Sequence, residues 1–205
     1  MSIYRSERGN IGKLLISKTI LILLSTNVIV MTPMQSVNTA NAQEQTRFVP
    51  LFLAPIAASG DYVYVTWWDN KTGNWEVFFA RSTDNGETFD NTINLSNAMG
   101  RSEDSNIAAS EDNVYVTWWD NKTGTREVYF RASTDNGETF DNTINLSNAM
   151  GRSEDSNIAA SGDNVYVTWW DNKTGTREVY FRASTDNGET FGNTIMLNST
   201  IGGGS

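Results

Sequence analysis

A strict internal period of 51 residues constrains this chain more than any other feature. Trp67-Trp68 return as Trp118-Trp119 and Trp169-Trp170, and Phe89 returns as Phe140 and Phe191. The stretch from Ile107 to Leu146 differs from that from Ile158 to Leu197 at three positions, where Glu111 becomes Gly162, Asp141 becomes Gly192 and Asn145 becomes Met196. The first copy has drifted further, with Tyr62, Asn74, Trp75, Phe78, Ala80 and Arg81 where the second has Asn113, Thr125, Arg126, Tyr129, Arg131 and Ala132. A unit repeated at this spacing is one supersecondary module that cannot hide its apolar faces alone and must stack on its neighbours. The sameness marks a recent duplication, in which the copies have had little time to acquire separate functions.

Within the second copy, Ile107 to Ser110 is a short apolar segment, followed by a tight turn at Glu111-Asp112-Asn113. Val114 to Asp120 (VYVTWWD) is dense in β-branched and aromatic residues and predicts a strand. Asn121-Lys122-Thr123-Gly124 turns the chain back. Glu127 to Ser133 predicts a third strand, Thr139 to Leu146 a weaker fourth, and Ser147 to Asn157 a linker to the next copy. Four antiparallel strands in such a unit make the blade of a β-propeller. In the second strand Val114, Val116 and Trp118 alternate with Tyr115, Thr117 and Trp119, so neither face is polar. A sheet sandwiched between neighbouring blades has this character, which makes the Trp pairs core residues first. The expected fold is therefore all-β, with three four-stranded antiparallel blades over residues 56–197, either a partial propeller or half of a six-bladed ring.

The segment STDNGETF occurs at Ser82 to Phe89, Ser133 to Phe140 and Ser184 to Phe191, in register with the period. It resembles the Asp-box, or BNR repeat, of the sialidase family and related propellers, and the resemblance extends over Ile56 to Leu197. Asp135 is suited to accept hydrogen bonds from its own hairpin, Gly137 supplies a permissive backbone and Phe140 anchors the turn in apolar surroundings. The sets Ser82, Asp84, Gly86, Phe89 and Ser184, Asp186, Gly188, Phe191 are expected to act like Ser133, Asp135, Gly137, Phe140. The resemblance implies a structural turn between the third and fourth strands, on the side away from an active site.

That family's catalytic machinery is an arginine triad, a tyrosine nucleophile with a glutamate partner, an aspartate acid/base and an early (F/Y)RIP motif. Arg47-Phe48-Val49-Pro50 is an echo of the last in altered order, and no role passes to Arg47. Near-identical blades do not easily supply one nucleophile, one acid and one unique triad, and repeat-equivalent carboxylates share one environment instead of having divergent pKa values. No catalytic residue is assigned. The reading is an exported, non-catalytic module for glycan or protein binding at the cell surface. The alternatives are an exo-α-sialidase-type glycoside hydrolase and a structural adhesion or surface repeat.

A binding site is expected where the turns between second and third strands meet the linkers. Those linkers carry Arg101-Ser102-Glu103-Asp104 and Arg152-Ser153-Glu154-Asp155. Arg101, Glu103, Asp104, Arg152, Glu154 and Asp155 are the candidate ligand-binding residues, with an ion pair inside the loop as the competing reading. The turns at Asp69 to Gly73, Asp120 to Gly124 and Asp171 to Gly175 hold oxygen donors but lack an alternating acidic series, so neither metal nor cofactor is expected.

Residues 1–42 have basic Arg5, Arg8, Lys13 and Lys18, an apolar run from Thr19 to Met31 and a small-residue end at Ala40-Asn41-Ala42. This is the layout of a cleavable export signal, followed by a lead-in at 43–55, the blades at 56–197 and a flexible tail at 198–205. The chain is then secreted or held at the cell surface. Loss of the signal leaves 11 basic and 23 acidic residues, a net charge of −12, which argues against nucleic acid as a partner. The chain contains neither cysteine nor histidine, which removes disulfides, thiol nucleophiles and the usual histidine base. Three blades are too few to close a propeller, so self-association is expected, with a homodimer closing a six-bladed ring as one form of it and a contracted copy of a longer array as the rival reading.

Overall fold

The computed structural model describes residues 54–197. The export segment, all but the end of the lead-in, and the tail lie outside the described residues. Strands account for the regular structure throughout: β1 (Ile56–Ser59), β2 (Tyr62–Asp69), β3 (Glu76–Ser82) and β4 (Ile93–Asn94) form one sheet. A second contains β5 (Ser102–Ser110), β6 (Asn113–Asp120), β7 (Glu127–Ser133) and β8 (Ile144–Asn145). The third contains β9 (Ser153–Ser161), β10 (Asn164–Asp171), β11 (Glu178–Ser184) and β12 (Ile195–Met196). Each sheet is an antiparallel meander in chain order, which is the blade topology the repeat predicts.

Two expectations need correction. Residues Ser102–Asn106 and Ser153–Asn157 are not linker: they begin the first strand of their blades, paired with β6 and β10. Their polar letters read as loop, but Ser105 Oγ donates to Thr66 Oγ1 (3.2 Å) and Ser156 Oγ to Thr117 Oγ1 (3.0 Å), so the polar groups are satisfied inside the blade contacts. The fourth strand shrinks to two paired residues, Ile144 and Asn145, with Thr139 held in the preceding turn by Asp135 and Leu146 N donating to Val128 O beyond the pairing.

Two apolar seams join the blades. The forward face of the second blade, with Tyr115, Val128, Phe130 and Leu146, packs against Val165, Val167, Trp169 and Tyr180 on the rear face of the third. Tyr64, Val77, Phe79 and Leu95 meet Val114, Val116 and Trp118 in the same way. Both faces of the middle blade are thereby buried, as its doubly apolar β6 requires. The STDNGETF turn of each following blade completes the seam. Phe140 meets Phe79 edge-on at 4.9 Å between ring centroids, and Phe191 meets Phe130 at the same distance. Tyr64 and Tyr115 donate to Asn136 Oδ1 (3.3 Å) and Asn187 Oδ1 (3.2 Å).

The turn itself is fixed from within. In the second blade Thr139 N donates to Asp135 Oδ1 (2.9 Å), Thr139 Oγ1 to Asp135 Oδ2 (2.5 Å), and Gly137 N to Ser133 Oγ (2.8 Å). Gly137 has φ 78°, and a Cβ there would lie 2.6 Å from the Phe79 ring, so the position needs glycine for both conformation and close approach. One copy does not act like the others. Among the described residues no preceding blade receives Phe89, which is 47% exposed, although its own turn keeps the same internal hydrogen bonds.

Candidate binding face

The STDNGETF turns lie beside the β1–β2 type turns, since Asn85 N donates to Asp61 O and Asn136 N to Asp112 O. The opposite ends of the blades gather the turns after β2, β6 and β10 with the interblade connections. There Arg101 N donates to Asn121 Oδ1 and Arg152 N to Asn172 Oδ1, each at 2.8 Å. Asp120 and Asp171 fasten this end: their Oδ2 atoms accept from Ser102 Oγ (2.7 Å) and Ser153 Oγ (2.6 Å), and their Oδ1 atoms accept from the backbone of Lys122 and Lys173. Both carboxylates are buried and committed to the turn. Among the described residues no group of three His, Cys, Asp or Glu side chains is placed to hold a metal ion.

All of the sequence-predicted binding residues come to this end. Arg101 Nε donates to Glu103 Oε1 and Arg152 Nε to Glu154 Oε1. The glutamates are 11% and 8% exposed at their side chains, while Arg101 and Arg152 are 48% and 50% exposed. Each guanidinium is therefore held through Nε by a buried carboxylate, and its two Nη groups donate no hydrogen bond among the described residues. A β-bulge sets the next position. Glu103 pairs with Trp119 and Asn106 with Thr117, leaving Asp104 and Ser105 opposite one residue, with Asp104 at φ 52°. This turns the Asp104 carboxylate onto Trp119 Nε1 (2.6 Å), and Asp155, at φ 51°, meets Trp170 Nε1 (2.5 Å) in the third blade.

Two further arginines belong here that the motif reading missed. Arg126 lies 4.0 Å over the Trp119 ring and pairs with Glu154, and Arg177 lies 3.8 Å over Trp170 with Nη2 2.6 Å from Asp155 Oδ2. Burial lowers the pKa of Arg126, and Arg152 adds to the effect by like-charge repulsion. Their signal was the recurrence of Arg at one position after the turn, with Trp75 in its place in the first blade. There Arg101 sits 5.4 Å over the Trp75 ring instead. Trp119 is buried and Trp170 is half-buried under its arginine, so the indoles serve as supports for guanidinium groups.

No family model matches the chain, and no curated protein matches it. Solved structures do. A Hadza microbial sialidase, Hz136, superimposes with a TM-score of 0.54 at 12% identity, over 67% of this chain and 36% of that one. Trypanosoma rangeli sialidase in complex with the inhibitor DANA gives 0.49 at 17% identity, over 67% and 29%. The GH93 α-L-arabinofuranosidase of Fusarium graminearum, in complex with arabinobiose, gives 0.46 at 12%, over 66% and 44%. The first of these superpositions shows a sialidase-like β-propeller fold, and this chain spans about a third of the length of the sialidases it matches.

Proposed function

We propose that this chain is an exported, non-catalytic sialidase-like module whose arginine-bearing face binds a glycan at the cell surface, with the STDNGETF turns acting as Asp-boxes that brace the fold at the opposite end. The observation that carries the reading is the repeated pair Arg101 and Arg152, each fixed by a buried glutamate and each presenting its Nη groups to solvent. A donor set held in place before the ligand arrives loses little side-chain entropy on binding, and guanidinium groups suit the hydroxyl and carboxylate oxygens of acidic or polyhydroxylated sugars. One donor set per seam is a weak site, and repetition raises the strength through avidity.

The non-catalytic part rests on chemistry. Arg126 and Arg177 are engaged by Glu154 and Asp155, which leaves them poorly placed to act together on one substrate carboxylate. Tyr129 and Tyr180 are buried with their pKa values raised by desolvation, the opposite of what an activated phenolate nucleophile needs. A glycan array with the wild-type chain and with Arg101→Ala plus Arg152→Ala tests the binding, and retention of signal by the double variant sinks it. A fluorogenic sialoside assay is expected to show no turnover, and measurable release of sialic acid restores the hydrolase reading.

A further inference from the structure

The two internal seams are built from nearly the same residues, and among the described residues no further blade covers the matching forward face of the third. Tyr115 and Leu146 are 0% and 1% exposed in the second blade, whereas Tyr166 and Leu197 are 39% and 55% exposed in the third. The socket is nevertheless fully formed. Tyr166 stacks on Phe181 at 6.3 Å and 18°, matching Tyr115 on Phe130 at 6.2 Å and 18°.

The group that fills such a socket is exposed at the other end of the same chain. In both internal seams it is an Asn-Gly turn followed by a phenylalanine. Asn136 and Gly137 have φ of 56° and 78°, Asn187 and Gly188 of 56° and 84°, and Asn85 and Gly86 of the first blade of 57° and 88°. Phe89, which follows them, is 47% exposed. Socket and plug therefore already hold the conformations they have when docked, so joining them needs little reorganisation.

We propose that a second copy of this chain seats its first blade on the forward face of the third, and that two copies close one ring of six blades. In that seam Tyr166 donates to Asn85 of the second copy, and Phe89 of the second copy packs edge-on against Phe181. The number of copies follows from closure. Propellers close with about four to eight blades, so two sets of three fit and three sets do not. The contact is head-to-tail, and such contacts end in a ring only when the rotation closes.

The new seam is weaker than the internal ones in two identifiable ways. Arg131 and Arg182 clamp the internal seams by donating to Leu95 O and Leu146 O, each at 3.1 Å, and Ala80 stands at their position in the first blade. Ala54 stands where Ser105 and Ser156 bond Thr66 and Thr117. The aromatic plug is retained and both polar links are lost, which makes a dimer that dissociates on dilution instead of an obligate one.

Sedimentation velocity on the full chain decides the matter. The expected species at high concentration has twice the chain mass of 22.8 kDa. Phe89→Ala touches no internal seam, so it should leave the far-ultraviolet circular dichroism unchanged while weakening the dimer about tenfold or more. Tyr166→Ser should act in the same way through the other half of the contact. A monomer at every concentration overturns the proposal, as does a dimer indifferent to both substitutions. Open polymers that lengthen with concentration overturn the closed ring.

Discussion

At the residue scale, the carboxylate of the STDNGETF turn does more than its exposure suggests. Hydrogen bonds from Ser82 and Thr88 hold Asp84 down at about 2, and those from Ser184 and Thr190 do the same for Asp186. In Asp135 burial opposes the same set of donors and the donors prevail, so its pKa is also lowered. A folded-state pKa below the unfolded value gives stability that is complete above about pH 4 and disappears as pH falls through about 2. Urea midpoints should fall across that window, and Asp84→Asn with Asp186→Asn should flatten the fall. Asp135→Ala removes the acceptor for two groups of Thr139 and one of Ser133, and should lower stability by about 1–3 kcal/mol in urea unfolding. Tyrosine gives the opposite sign. Burial pushes Tyr64 and Tyr115 up to about 12, so the stability they lend is present below about pH 10 and is lost as pH rises through 12. Tyrosinate absorbance and unfolding should therefore appear together in alkaline titration, above the usual phenol range.

At the element scale, the difference between a turn that meets a neighbouring blade and one that does not is measurable with a single methyl group. Gly137→Ala places a Cβ 2.6 Å from the Phe79 ring, whereas at Gly86 the nearest atom is Val63 Cγ2 at 3.9 Å. Both substitutions carry the same penalty for positive φ, so the excess loss at Gly137, expected at about 1–3 kcal/mol in thermal or urea unfolding, isolates the seam. These blade boundaries were legible in the sequence because the strands that matter most are chemically unambiguous. Glu127 to Ser133 is a strand in both readings, and β6 differs from expectation only by Asn113. Ser102–Asn106 was hidden because its polar groups are satisfied by partners distant in sequence, Asp120 and Trp119 within the blade and Thr66 and Ser156 O in its neighbours, which no local pattern displays. Arg131 was hidden for a related reason. An arginine in an apolar strand reads as a surface position, yet its three nitrogen donors reach Asp141 O, Leu95 O and Phe140 O. Of the candidate site, Arg101 through Asp104 and their repeats were legible as a motif. Arg126 and Arg177 were not, since Arg126 pairs with Glu154 of the next blade and Arg177 with Asp155 at a bulge, partners that no local pattern displays.

At the scale of the whole molecule, stability in a repeat array is a sum over blades and the seams between them, so position in the array decides protection. Among the described residues of one chain the middle blade has two seams and each end blade has one. Full burial of a Tyr, Val or Leu side chain is worth about 1.5–3 kcal/mol, and the third blade leaves several such groups partly open that the second blade covers. Native-state hydrogen exchange should then be slowest at β6 and β7 and markedly faster at β11 and β12, although the sequences of these strands are nearly the same. Sequence and strand pairing predict equal rates for Tyr115 and Tyr166, each paired with an alanine of the next strand, and their difference in burial predicts unequal ones. Dilution adds the discriminating step. If two chains share seams, protection in β11 depends on protein concentration and falls in Phe89→Ala, a residue at the far end of the same chain, while protection in β6 changes little. Equal and concentration-independent rates in β6 and β11 would mean that some other segment covers the third blade, and that the two ends of this chain do not meet.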